Sequence, residues 1–163
     1  MLRAAHLILP PDSRLNAPLS EITLTREDRY RRRMAMTADD GTAFLLDLPQ
    51  ATYLPGGAGL LLDDGSVIRV NAASEPLLRI SAPDALTLSR LAWHIGNRHT
   101  PAEISAEAVY IQPDHVLAEM VRGLGGAVED VLRPFEPEGG AYGGHGALER
   151  GHHHGGHSHD HGH

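Results

Sequence analysis

The sequence predicts an α+β protein in three parts: a small all-β domain over residues 1–73, a mixed domain over 74–138, and a disordered Gly/His-rich tail over 139–163. Three observations predict it. Period-two segments separated by Asp-Gly turns fill the first part. Two capped, amphipathic segments alternate with short extended pieces in the second. The third carries almost nothing that could pack, and a chain that buries little apolar surface does not offset the entropy of ordering.

Ile22-Thr23-Leu24-Thr25 alternates as a half-buried strand does. Asp39-Asp40-Gly41 and Asp63-Asp64-Gly65 are turn signals, each followed by a β-prone run. Leu60–Leu62 and Val67–Val70 flank the second turn as the arms of a hairpin, and Pro55-Gly56-Gly57 breaks the chain between strands. The rhythm changes at a junction over residues 71–74. Leu77–Ile80 is strand-like. Ser81 as a capping hydroxyl, Pro83 in the first turn and Asp84 as the acid three residues on then start a helix. Leu88, Leu91, Ala92 and Ile95 recur at helical spacing until Gly96-Asn97 stops it. Extended pieces follow around Ile104 and over Ala108–Ile111. Pro113-Asp114 opens a second helix with Val116, Leu117, Met120, Val121 and Leu124 as its buried face; Gly125-Gly126 ends it, and Ala127–Leu132 is a last strand. The order β-α-β-β-α-β is that of a ferredoxin-like split βαβ sandwich.

Composition narrows the chemistry. The chain has 163 residues, and all 14 basic ones are Arg; the formal charge of −7 lacks the basic footprint of a nucleic-acid binder. With no Cys there is no disulfide and no thiolate metal site. No stretch has the length of a membrane span and the first residues lack a secretion signal, so a cytoplasmic protein is expected. No G-x-S-x-G or H-E-x-x-H pattern offers a nucleophile or a zinc-protease helix, so an enzyme is not expected.

Histidine is where chemistry concentrates. His145, His152, His153, His154, His157, His159, His161 and His163, eight of the twelve, lie in the tail among Gly, Ser and Asp160. Neutral imidazole suits Ni, Zn, Cu and Fe, and a Gly-rich backbone lets several donors gather on one ion. A tag or an idle tail is the bland reading, but a tag would be an unbroken run. In the second domain, His94 sits in the last turn of its helix, where an imidazole interacts well with the helix dipole whatever else it does. His99 lies in the extended loop Gly96-Asn97-Arg98-His99-Thr100-Pro101. One histidine is not a metal site; further donors must come from a symmetry mate, the tail or both. Asp114 and His115 are adjacent and form either a surface O/N site or a helix cap beside an exposed imidazole. His6 is isolated in sequence. The run Arg26–Arg33, with Arg29, Arg31, Arg32 and Arg33, either docks an acidic partner surface or protects a solvated strand edge.

These pieces resemble one family along essentially the whole chain. Arg31-Arg32-Arg33 with Asp40-Gly41, Leu46-Asp47-Leu48-Pro49, Asp63-Asp64-Gly65, Trp93-His94-Ile95-Gly96-Asn97-Arg98-His99-Thr100-Pro101, Asp114-His115-Val116-Leu117 and Pro134-Phe135-Glu136-Pro137-Glu138-Gly139-Gly140-Ala141-Tyr142 are together similar to the urease accessory protein E (UreE) family of nickel metallochaperones. The resemblance implies a peptide-binding-type β-domain, a ferredoxin-like metal-binding domain and a homodimer joined head to head through the second domains. It implies that His99 is an interfacial Ni(II) ligand given by both subunits, and that Asp114 and His115 match a secondary surface site. Some relatives carry a further histidine just before that Asp; this chain has Pro113. It also implies delivery of nickel to apo-urease through an assembly GTPase, with no membrane or nucleic-acid partner.

Two other readings remain on the sequence alone. One is a general divalent-metal buffer acting through the tail, since imidazoles do not separate Ni(II) from Zn(II) and hold Cu(II) more tightly. The other is an interaction module acting through the Arg-rich segment.

Overall fold

The computed structural model describes residues 1–139. Ten strands and two α-helices, besides a short 3-10 helix over Ser13–Asn16, are assigned among them: β1 Leu2–Ile8, β2 Ser20–Leu24, β3 Tyr30–Thr37, β4 Ala43–Tyr53, β5 Gly59–Leu62, β6 Val67–Ala72, β7 Ser74–Ser81, α1 Ala85–Gly96, β8 Ala102–Ile104, β9 Val109–Ile111, α2 His115–Gly123 and β10 Ala127–Pro134. The first six strands form one sheet of order β2-β6-β5-β1-β4-β3. The anticipated hairpin is β5–β6, pairing Leu60 with Ile68, and Gly65 at its turn takes φ +88°, a left-handed value that glycine adopts freely. Two pairings are parallel, β1 with β4 and β2 with β6, so this sheet is not a simple meander. Its apolar face closes over Ala4, Ile22, Phe44, Leu46, Leu54, Leu60, Ile68 and Val70, all buried. With only two Phe and one Trp in the chain, that core is filled mainly by aliphatic side chains.

The remaining strands form a second sheet of order β10-β7-β9-β8, the ferredoxin-like arrangement expected from the sequence. Only Ala73 separates β6 from β7, so the anticipated junction is almost entirely strand rather than linker. Leu78, Ile80, Val109 and Ile111 face Leu91 and Ile95 of α1 and Leu117, Ala118 and Val121 of α2. Leu77 and Tyr110, one position out of phase, point to the opposite face.

Two local expectations are corrected. Ser81 is the last residue of β7 and does not cap α1; the cap is Asp84, whose carboxylate accepts the Thr87 N–H at 2.7 Å. That bond holds the Asp84 pKa below its usual value. In α2 the buried face is Leu117, Ala118 and Val121; Val116 is 62% exposed and Leu124 44% exposed. Both are apolar, but Val116 sits in the first turn of the helix and Leu124 is already its C-cap. The tail, with its expected disorder and its eight histidines, lies outside the described residues.

Candidate metal centre

His99 follows α1 by three residues. The helix ends conventionally, with Asn97 N–H donating to the Trp93 carbonyl at 2.9 Å and His99 N–H to the Gly96 carbonyl at 3.0 Å. His99 itself takes φ +56°, and it is the only non-glycine with positive φ among the described residues. An L-residue there carries roughly 1–2 kcal/mol of strain that glycine does not. The side chain is exposed, so no packing explains the choice of histidine. Replacing His99 with glycine is therefore expected to raise stability by about 1 kcal/mol in a denaturant titration; a loss would show that the imidazole has a structural task.

Among the described residues no three His, Cys, Asp or Glu side chains come together as a metal cage. His99 thus belongs to no set of three such donors within the described part of its own chain. His94, half-buried, turns its ring edge-on to Trp93, with centroids 5.0 Å apart and planes at 81°. Trp93 is itself 64% exposed, and Leu86, two helical turns before it on α1, is 60% exposed.

Asp114 is engaged as the α2 cap: one carboxylate oxygen accepts the Val116 N–H at 3.0 Å and the Leu117 N–H at 3.1 Å. His115 is exposed at the first helical position. The pair meets no third donor among the described residues.

The arginine run divides. Arg29 departs from the expectation of a partner contact: its side chain is 0% exposed. Its Nη1 donates to the Tyr53 hydroxyl at 2.5 Å and lies 3.2 Å from Glu136 Oε1, and its Nη2 donates to the Phe135 carbonyl. Arg31 pairs locally with Asp28 at 2.8 Å. Arg32 and Arg33 are exposed and, with Arg3, His6 and Asp47, line an open cleft of about 460 Å³. The strand geometry explains that split. Arg31 pairs with Thr52 and Arg33 with Asp47, so β4 bulges over Leu48–Ala51 opposite Arg32 and reorients the side chains of β3. Arg3 holds Asp47 at 2.7 Å, and this pairing, with Arg33 and Arg32 nearby, lowers the Asp47 pKa.

Sequence reasoning missed the partners of Arg29. Glu136 accepts from the Tyr53 hydroxyl at 2.8 Å through Oε2 and from the Gly56 N–H at 2.9 Å through Oε1. Burial first, then the bond to Glu136, raises the Tyr53 pKa well above its usual value. A Cβ on Gly56 would lie 2.5 Å from Glu136 Oε1, so glycine is what lets the carboxylate reach the backbone there. The available signal was Phe135, one of only two Phe, set between Pro134 and Pro137.

A β-sheet domain joined through a single residue to a split βαβ domain, with an exposed imidazole held strained on the loop after its first helix, defines a two-domain protein whose candidate chemistry is metal coordination. The comparisons make the class specific. Residues 5–73 match the model of the UreE urease accessory protein N-terminal domain, and residues 75–163 match that of its C-terminal domain. The chain belongs to the UreE urease accessory protein family. It is 50% identical to the urease accessory protein UreE of a Chelativorans species over 99% of both chains. It is 58% identical to that of Rhodopseudomonas palustris over 74% of this chain, a match spanning 56% of the relative, and 50% identical to that of Azorhizobium caulinodans over 96% of this chain and 72% of the relative.

Proposed function

We propose that the protein acts in urease maturation as a cytoplasmic nickel carrier: a homodimer that binds Ni(II) between two copies of His99 and passes it, through an assembly GTPase, to apo-urease. Family membership supports the place in urease assembly. The observation that carries the nickel site is His99 itself, exposed, strained in the left-handed region, and without enough donors from the described part of its own chain. A twofold axis through the loop doubles the donor, because an isologous interface brings the same patch from each subunit together. The exposed Leu86 and Trp93 on the helix leading to that loop supply apolar surface for such a contact. His145, His152, His153, His154, His157, His159, His161 and His163 then complete or feed the site. An incompletely caged ion suits a carrier, since the next protein must be able to take it. Zn(II) and Cu(II) compete for the same imidazoles. Asp114 and His115 are at most a weak accessory site, because capping engages the carboxylate. Arg32 and Arg33 remain available to an acidic partner surface.

Truncation after Glu138 tests the division of labour. The expected result in equilibrium dialysis is one tight nickel retained per dimer and a fall in total nickel bound. Loss of the tight ion with the tail would instead favour a buffer acting mainly through the tail.

A further inference from the structure

β10 and β8 are the two edges of the second sheet, three interstrand spacings or about 14 Å apart. The chain leaves β10 at Pro134, yet four residues later the Glu138 N–H donates to the Ala102 carbonyl of β8 at 2.7 Å. Residues 134–138 therefore form a strap that crosses the sheet on the face turned away from the helices. Phe135, fully buried, packs there with Leu77, Ala108 and Tyr110. Glu103 of β8 accepts the Glu136 N–H at 2.8 Å and the Arg133 guanidinium at 2.6 Å, while Arg133 stacks 3.8 Å above Tyr110. On its other side the strap is held by the first domain, through Arg29, Tyr53 and the Gly56 N–H. Its end is bonded to Ala102, three residues after His99.

We infer that this strap is a positioning device for metal handling: Glu136, clasped by Arg29, carries the root of the His-rich tail from the far edge of the sheet to the His99 loop. The inference rests on the nickel-carrier reading. His145 lies seven residues beyond Glu138, within about 25 Å of contour length. The clasp adds to the Phe135, Glu103 and Ala102 contacts that hold the strap; were the strap released from the sheet, the last fixed point would be Pro134 on the opposite edge, eleven residues from His145. Release both lengthens the chain between its last fixed point and His145 and moves that point to the far edge of the sheet, so it lowers the tail's supply of imidazole at His99. Arg29, Tyr53, Gly56 and Glu136 thus belong to the metal site without touching metal.

The absence of cysteine allows a clean test. In metal-free full-length protein, a nitroxide on Gly144→Cys is expected to broaden the backbone amides of Arg98, His99, Thr100 and Glu103. Adding Glu136→Ala, which removes the contacts to Arg29, Tyr53 and Gly56, should weaken that broadening at the loop. Adding Glu138→Pro instead deletes only the donor to Ala102 and leaves the Arg29 clasp whole, and it should weaken the broadening at the loop. Unchanged broadening at the loop in both variants would overturn the inference. In nickel titrations, Glu136→Ala should weaken tight binding in the full chain and leave it unchanged in the chain truncated after Glu138. Equal weakening in both backgrounds would mean a structural role only, and would also overturn it. The label experiment needs no metal, so failure of the nickel-carrier reading, seen as unchanged tight binding in His99→Ala, is distinguishable from failure of the strap.

Discussion

Replacing His99 with alanine is expected to abolish the tightest nickel equivalent of the dimer while leaving the fold intact. One substitution removes a donor from each subunit, so both fixed ligands of the proposed site disappear together. Loss of a group that merely orients a ligand costs 10–100-fold in metal affinity, so loss of two ligands should cost about 100-fold or more. The remaining imidazoles of the tail would still bind, but weakly and without a fixed geometry. Stability should barely change, because the side chain is exposed and makes none of the hydrogen bonds that define the loop. Dialysis against a nickel buffer series checks the affinity and a melting curve checks the fold.

Replacing Arg29 with alanine is expected to destabilise the protein by about 3 kcal/mol or more, the largest stability effect among the charged residues. Removing one partner of a buried ion pair leaves its counterpart uncompensated, at a typical cost of 3–5 kcal/mol. Glu136, with its side chain 40% exposed, can recover some solvation, which puts the figure near the lower end. The Phe135 carbonyl loses its guanidinium donor and a large buried side chain becomes a void. Arg29→Lys should not restore the loss, since one ammonium cannot serve Tyr53, Phe135 and Glu136 with the planar fork that reaches all three. Urea titration measures this directly. A change under about 1 kcal/mol would mean that the clasp contributes little to holding the strap against the first domain.

Much of the fold was legible because local signals agreed with the tertiary result. Gly41 and Gly65 both adopt positive φ at the turns that Asp-Gly announces, and the second helix opens after Pro113-Asp114 with Asp114 as its cap. The β-α-β-β-α-β order then left few topologies for the second sheet. The first sheet was less legible, since the parallel pairings of β1 with β4 and β2 with β6 join segments far apart in sequence that carry no mutual signal. The strap was invisible for the same reason. Nothing local says that a Pro-Phe-Glu-Pro segment crosses four strands, or that one of five arginines in eight residues turns inward to meet it. At the candidate centre, chain position and loop chemistry singled out His99, but its left-handed backbone could not be read, because histidine is tolerated there without being required.

The paired use of His99 is the central claim, and a mixed dimer tests it most directly. One subunit of wild-type sequence is combined with one carrying His99→Ala, both truncated after Glu138 to remove the tail, and nickel is counted per dimer by native mass spectrometry through a titration. The expected result is one tight ion on the wild-type dimer and none on the mixed dimer. A tight ion retained on the mixed dimer, or bound to a wild-type monomer, would contradict a site built from two copies of His99.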